Sequence, residues 1–145
     1  MVSADPKFVK ITFGDGDGDS ESLWAIDLGD GAFKLDSTPW FQYGVSWRDI
    51  VEAEPDRSGL LCFTRIKEKS GHRTLRARSE NPIDQAVLDA ITSAGCSYEG
   101  ATPKYIAIDA PPEVELSAVV RALDASGLEW EYADPPYEEV HGSEG

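Results

Sequence analysis

The sequence predicts an α+β fold: a small bent antiparallel sheet or SH3-like barrel, followed by a ferredoxin-like βαββαβ layer. Three observations predict it. From Lys7 to Arg78, short runs alternate apolar and polar residues at period two and are parted by Gly-, Pro- and Asp-bearing turns. From Asn81 the period lengthens to helical spacing in two stretches, each closed by a glycine, Gly95 and Gly127. Strands return between and after those stretches, so the order from His72 is strand, helix, strand, strand, helix, strand.

Taken in order, Lys7 to Phe13 is the first strand, with Val9, Ile11 and Phe13 on one face and Phe8, Lys10 and Thr12 on the other. The repeat Gly14-Asp-Gly-Asp-Gly-Asp-Ser20 is too glycine-rich for regular structure. Glu21 to Leu28 and Ala32 to Asp36 form a hairpin about Gly29-Asp30-Gly31, whose residues accept positive φ. Asp49 to Glu54, Leu60 to Lys67 and His72 to Arg78 complete six short strands. Asn81-Pro82 reads as a helix start with proline in the first turn, and Ile83, Val87, Leu88 and Ile91 follow at helical spacing. Cys96 to Gly100 and Lys104 to Asp109 are strands, and Pro111-Pro112 opens a second helix with the stripe Leu116, Val119, Val120 and Leu123. Leu128 to Tyr132 is the last strand. The expected helices span about 82–94 and 113–126. The expected organisation is residues 1–71 as a β-rich subdomain, 72–133 as the βαββαβ subdomain, and 134–145 as an acidic disordered tail.

At 145 residues, with 41% hydrophobic content, the chain is long enough for one ordinary core or two small ones sharing an interface. Its formal charge of −14 is unevenly placed. Up to Ser79 there are eleven Lys or Arg against thirteen Asp or Glu; from Glu80 onward there are two against fourteen. A negative field of that kind disfavours nucleic acid and anionic membranes and favours a basic protein partner. No apolar run is long enough to span a bilayer. The start MVSADPKFVKITF lacks the basic and apolar regions of a signal peptide. Cys62 and Cys96 have no CxxC spacing and read as reduced, largely buried thiols of a cytoplasmic protein.

The stretch Ser37 to Val51 concentrates Trp40, Phe41, Tyr43 and Trp47 within eight positions. Side chains of this size could anchor a small core or an interface. Pro39 and Gly44 exclude a helix there, so a packed loop is expected between two strands. The segments ESLWAIDLGDGAFKLDSTPWF and YGVSWRDIVEAE, with Ser70-Gly71-His72, resemble the bacterial family of domain of unknown function 4265. The likeness rests on Glu21 to Ala25, Gly29 to Gly31, Pro39-Trp40-Phe41 and Gly44 to Val51, and extends over roughly residues 8–133. The resemblance implies a bacterial, intracellular, stand-alone domain and no catalytic residue.

Candidate chemistry is sparse. Asp15, Asp17 and Asp19 alternate like the start of an EF-hand loop, but Ser20 stands where glycine is needed and Ile26 where glutamate is needed. A flexible hairpin loop is expected, and no metal or cofactor. His72 would need Ser70 or Cys96 within hydrogen-bond reach and a carboxylate to orient it before it could act as a base. Ser70-Gly71-His72 is read instead as a turn with a structural histidine. Asp49 and Glu52, three apart on a strand, point to opposite faces. Arg57, Arg65, Lys67, Lys69, Arg73, Arg76 and Arg78 would lie on a hairpin of strands five and six, most simply facing the acidic half of the same chain. Pro135-Pro136-Tyr137 lacks the Pro-Pro-x-Tyr spacing of a WW-domain ligand.

Two functions follow. One is a non-catalytic, acidic protein-binding or regulatory domain. Its partner would be a basic protein meeting Asp84, Asp89, Glu113, Glu115, Asp124, Glu129 and Glu131 as one negative surface. The alternative is a small enzyme or ligand-binding protein with a site near His72, Asp49 and the aromatic stretch of Trp40, Phe41 and Trp47. A deep pocket bringing His72 to an acidic group and to Trp40 or Trp47 would favour the second.

Overall fold

The computed structural model describes residues 7–14 and 20–135. Five strands, β1 (Phe8–Phe13), β2 (Glu21–Gly29), β3 (Ala32–Leu35), β4 (Ile50–Pro55) and β5 (Leu61–Glu68), close into a barrel. Neighbours are antiparallel except for the closing pair, where Thr12 of β1 meets Cys62 of β5 in parallel. Alternation in β1 turns Ile11 and Phe13 inward, where they join Leu23, Ala25, Phe33, Leu35, Val51 and Ala53. Phe63 stacks on Phe13 with ring centroids 4.6 Å apart. The β2–β3 turn places Asp30 at φ 56° and Gly31 at φ 77°, the two positive angles of a type I′ hairpin. Register shifts between β4 and β5 supply the extra twist that a small barrel needs.

The sixth strand does not join the barrel. β6 (Arg73–Arg78) lies inside a four-stranded antiparallel sheet with β7 (Ser97–Thr102), β8 (Tyr105–Ala110) and β9 (Glu129–Asp134), in the order β7-β8-β6-β9. Gly71, at φ 93°, is where the chain leaves β5 for this second sheet. The expected six-strand sheet is therefore a five-strand barrel, and the expected basic hairpin of strands five and six does not form.

Helices α1 (Gln85–Ser93) and α2 (Leu116–Ser126) cover one face of the second sheet. Ile91, Val119 and Leu123 are buried against Leu75, Ala77, Ile106 and Ile108, and Val87, Leu88, Leu116 and Val120 pack beside them. Both helices start later than expected. The Ile83 amide donates to the Pro103 carbonyl, which fixes Ile83 on the sheet and leaves Asp84 as the helix cap. The Arg73 guanidinium takes the carbonyls of Pro111 and Val114, holding that segment as a turn until Glu115. Gly95, at φ 97°, follows α1 where an added Cβ would come within 2.9 Å of Val114 Cγ2. Asp134, expected to begin the tail, is instead the last residue of β9 and is buried. Residues 136–145 and the Asp15-Asp17-Asp19 ladder lie outside the described residues.

Candidate functional site

Barrel and second sheet meet through the long connection between β3 and β4, residues 36–49, which contains no regular structure. Long irregular connections in compact folds are usually functional or held by specific bonds. This one is held by its backbone. Glu21 on β2 accepts the amides of Trp40 at 2.6 Å and of Phe41 and Gln42 at 3.1 Å each. From the other sheet, Arg76 on β6 donates to the carbonyls of Trp40 (2.6 Å) and Gln42. The Tyr105 hydroxyl donates to the same Trp40 carbonyl, and the Gly44 amide donates to the Ala133 carbonyl. Arg76 is only 3% exposed, and its guanidinium lies 4.7 Å from the Tyr43 ring.

Beyond Gly44 a second polar cluster forms. Asp49, fully buried, accepts the amides of Ser46 and Ser70 at 2.8 Å each and the Lys69 ammonium at 2.5 Å. Lys69 also donates to Asp134 at 2.5 Å and to the Gly44 carbonyl at 3.1 Å, so its three hydrogens are all used. The Ser46 hydroxyl bonds Asp134 and lies 2.7 Å from the Thr74 hydroxyl oxygen. Asp49 precedes β4 rather than lying on it as expected, while Glu52 on the strand pairs with Arg65 on the barrel exterior at 2.6 Å.

His72 stands beside this cluster. Its Nδ1 is 3.0 Å from both oxygens of Asp109, a carboxylate only 1% exposed at the inner end of β8. Burial pushes the Asp109 carboxyl above its ordinary value, and the charge of and bond to His72 pull it back. The Trp47 ring meets the imidazole edge-on at 5.3 Å, and the Arg48 guanidinium lies 4.6 Å from the Trp47 ring centroid. Arg48 has φ 70°, a left-handed conformation costing a non-glycine residue about 1–3 kcal/mol. Its amide is tied to the Leu35 carbonyl. The Ser70 hydroxyl donates to the Trp47 carbonyl and accepts the His72 amide, so it is engaged with backbone rather than with the imidazole. A shallow open cavity of about 280 Å³ lies here, lined by Lys34, Arg48, Glu68, Lys69, Ser70 and His72 among others.

The residues singled out from sequence do not form one site. Trp40 and Trp47 are half-buried in the joint, with Trp47 against His72, while Phe41 and Tyr43 are 57% and 56% exposed. None of the four belongs to either apolar core, so the expected aromatic anchor is a backbone anchor instead. Glu113, Glu115 and Asp124 are exposed around α2, where Asp124 accepts the Trp130 indole N–H. Glu129 and Glu131 pair across the sheet with Arg78 and Arg76, on the face opposite the helices. Glu129 bonds Arg78, and Glu131 accepts the Tyr43 hydroxyl. The single negative surface expected from sequence is thus divided by the sheet. The basic segment is likewise dispersed: Lys69, Arg73 and Arg76 serve the joint and the α2 turn, and Arg65 and Arg78 pair with glutamates.

Glu21, Arg76, Asp109 and Asp134 were not apparent as site residues in the sequence. Asp109 carried the best signal, a carboxylate within the apolar strand Tyr105-Ile-Ala-Ile-Asp-Ala110. Among the described residues no group of three or more His, Cys, Asp or Glu is placed to hold a metal ion, and no helix is long and apolar enough to cross a membrane.

A family model described as a domain of unknown function, DUF4265, matches residues 21–132. The fold is similar to the crystal structure of a hypothetical protein from Neisseria gonorrhoeae. The two are 20% identical, with a TM-score of 0.73 over 94% of this chain and 99% of that one. None of the curated proteins compared matches the sequence.

Proposed function

We propose that this chain, which belongs to the DUF4265 family, is a non-catalytic, acidic protein-binding domain of regulatory use in the bacterial cytoplasm. One observation carries the reading: near His72 the carboxylates and the Ser70 hydroxyl are bonded to one another or to backbone, so the open ring nitrogen, Nε2, has no nucleophile among them to activate. Asp49 is taken by two amides and Lys69, Asp109 by His72, and the Ser70 hydroxyl by Trp47. A base or nucleophile needs a free lone pair aimed at a substrate. Glu113 and Glu115, by contrast, are exposed and have no ion-pair partner among the described residues. They offer negative charge to a basic protein at the start of α2, and Asp124 adds to it from near the other end of the helix. Nucleic acid and anionic membranes are disfavoured by the same charge.

On the same footing, we read the barrel as an SH3-like subdomain and the β6–β9 layer as a ferredoxin-like one. The β-α-β-β-α-β order and the antiparallel order β7-β8-β6-β9 support this. Two free cysteines support a reducing compartment.

The test is affinity capture from host lysate at low and high salt, with the wild type beside the triple reversal Glu113→Lys, Glu115→Lys, Asp124→Lys. The expected result is a defined set of basic proteins held at low salt, released at high salt and missing from the reversed variant. Capture of the same proteins by the reversed variant would refute the reading.

A further inference from the structure

The cavity beside His72 departs in charge from the rest of the molecule. Lys34 on β3 and Arg48 in the joint both line it, and neither has a salt-bridge partner among the described residues. Lys69 also lines it, but its charge is met by Asp49 and Asp134. Glu68 is the one carboxylate in the lining. Lys34 and Arg48 against Glu68 leave one positive charge among the unpaired lining groups, and a protonated His72 is answered by Asp109, in a chain whose formal charge is −14. A different open cavity of about 400 Å³, on the sheet face opposite the helices, shows the contrast. There Arg78 pairs with Glu129 and Tyr43 with Glu131, so its charged groups answer one another.

We propose that the cavity lined by Lys34, Arg48 and His72 binds a small anion, a carboxylate or a phosphate monoester. Three features fit that ligand. The volume of about 280 Å³ suits a small molecule rather than a polymer. The Arg48 backbone is held in an uncommon conformation and its guanidinium is laid on Trp47, so little side-chain freedom remains to be lost on binding. A guanidinium so placed offers its fork of N–H groups to carboxylate or phosphate oxygens. With Nδ1 donating to Asp109, Nε2 is the ring nitrogen of His72 left for a ligand, and it donates to an anion when the ring carries both protons. The net negative field of the chain opposes anions at long range, but salt screens it beyond ~8 Å at physiological ionic strength, leaving the local cations to act. This site is separate from the acidic residues at α2, and either can fail without the other.

The test titrates the full chain with inorganic phosphate and, separately, with acetate, each against chloride at matched ionic strength. Backbone amide shifts and tryptophan fluorescence are followed. One saturable event is expected, with shifts centred on Lys34, Arg48, Ser70 and His72. Phosphate binding more tightly than acetate assigns a phosphate-ester ligand, and the reverse a carboxylate. Arg48→Gly should weaken binding at least tenfold while keeping the fold, because glycine accepts the backbone angle that arginine strains to hold. Lys34→Gln, on the barrel exterior, should weaken it several-fold and serves as the second variant. Responses that match chloride, or wild-type affinity in both variants, would overturn the proposal.

Discussion

Glu21 of the barrel and Arg76 of the second sheet grip the same tripeptide, Trp40-Phe41-Gln42, the carboxylate by its three amides and the guanidinium by two of its carbonyls. Neither residue belongs to the segment it holds, and each comes from a different sheet. Glu21→Gln is expected to lower stability by about 2 kcal/mol, the scale of hydrogen bonds to a charged group. Arg76→Met is expected to cost about 1–3 kcal/mol, the scale for leaving a buried acceptor without its donor. Because both act on one segment, the double variant should lose less than the sum of the two. Urea unfolding of the four proteins checks this, and strict additivity would show that the two grips are independent.

Lys69 is the cation between Asp49 and Asp134, and although its side chain is 43% exposed, the two carboxylates are nearly enclosed. Lys69→Met should therefore cost about 1–3 kcal/mol, the scale for stripping a buried acceptor. Adding Asp134→Asn to that variant should recover part of the loss, since one of two facing charges is removed. A further loss in the double variant, measured by thermal unfolding, would contradict this ordering of charges.

The two cysteines should separate cleanly in reactivity. Burial pushes the Cys96 thiol from its ordinary 9.0 up to about 11, with the Asp109 charge acting in the same direction and Arg73 against it. Cys62 is only half-buried on the barrel. A thiol reagent at pH 8 is expected to modify one cysteine rapidly and the second only in denaturant, with Cys62→Ser removing the rapid phase. The raised value favours the native state below pH 9, and that contribution fades as pH rises through about 11. Cys96→Ala should flatten this fall.

Asp109 gives a pH dependence of the same sign. Its carboxyl is raised above 3.8 by burial, so it favours the native state in acid and loses that contribution as pH climbs through its raised value. His72 works against this rise. His72→Gln should therefore lift Asp109 further and steepen the loss of stability between acid and neutral pH. Urea midpoints measured across that range check it; an unchanged slope would mean that His72 does not support the Asp109 charge.

Local rules made much of the fold legible. Alternation located every strand, Asp30-Gly31 marked its hairpin, and the stripes Ile83 to Ile91 and Leu116 to Leu123 identified the faces that meet the second sheet. Strand β6 was placed in the barrel as well as in the second sheet, because period two does not say which neighbour a strand pairs with. Arg76 alternates with Leu75 and Ala77 as a solvent-facing residue would, yet the face it occupies is covered by the connection. The aromatics of that connection drew attention by size, whereas its backbone is what Glu21 and Arg76 hold. The His72–Asp109 and Lys69–Asp134 pairs join residues 37 and 65 positions apart, and nothing local encodes such a meeting.

Native-state hydrogen exchange at Trp40, Phe41 and Gln42 tests most directly whether the polar groups of the joint hold structure rather than serve chemistry. If they hold structure, these three amides exchange only through global unfolding, with the same free energy as the core amides of Ile11 and Ile108. Rapid exchange at 40–42 while the cores stay protected would show a connection that opens in the native state. That result would free the groups around it for a substrate and contradict the non-catalytic reading.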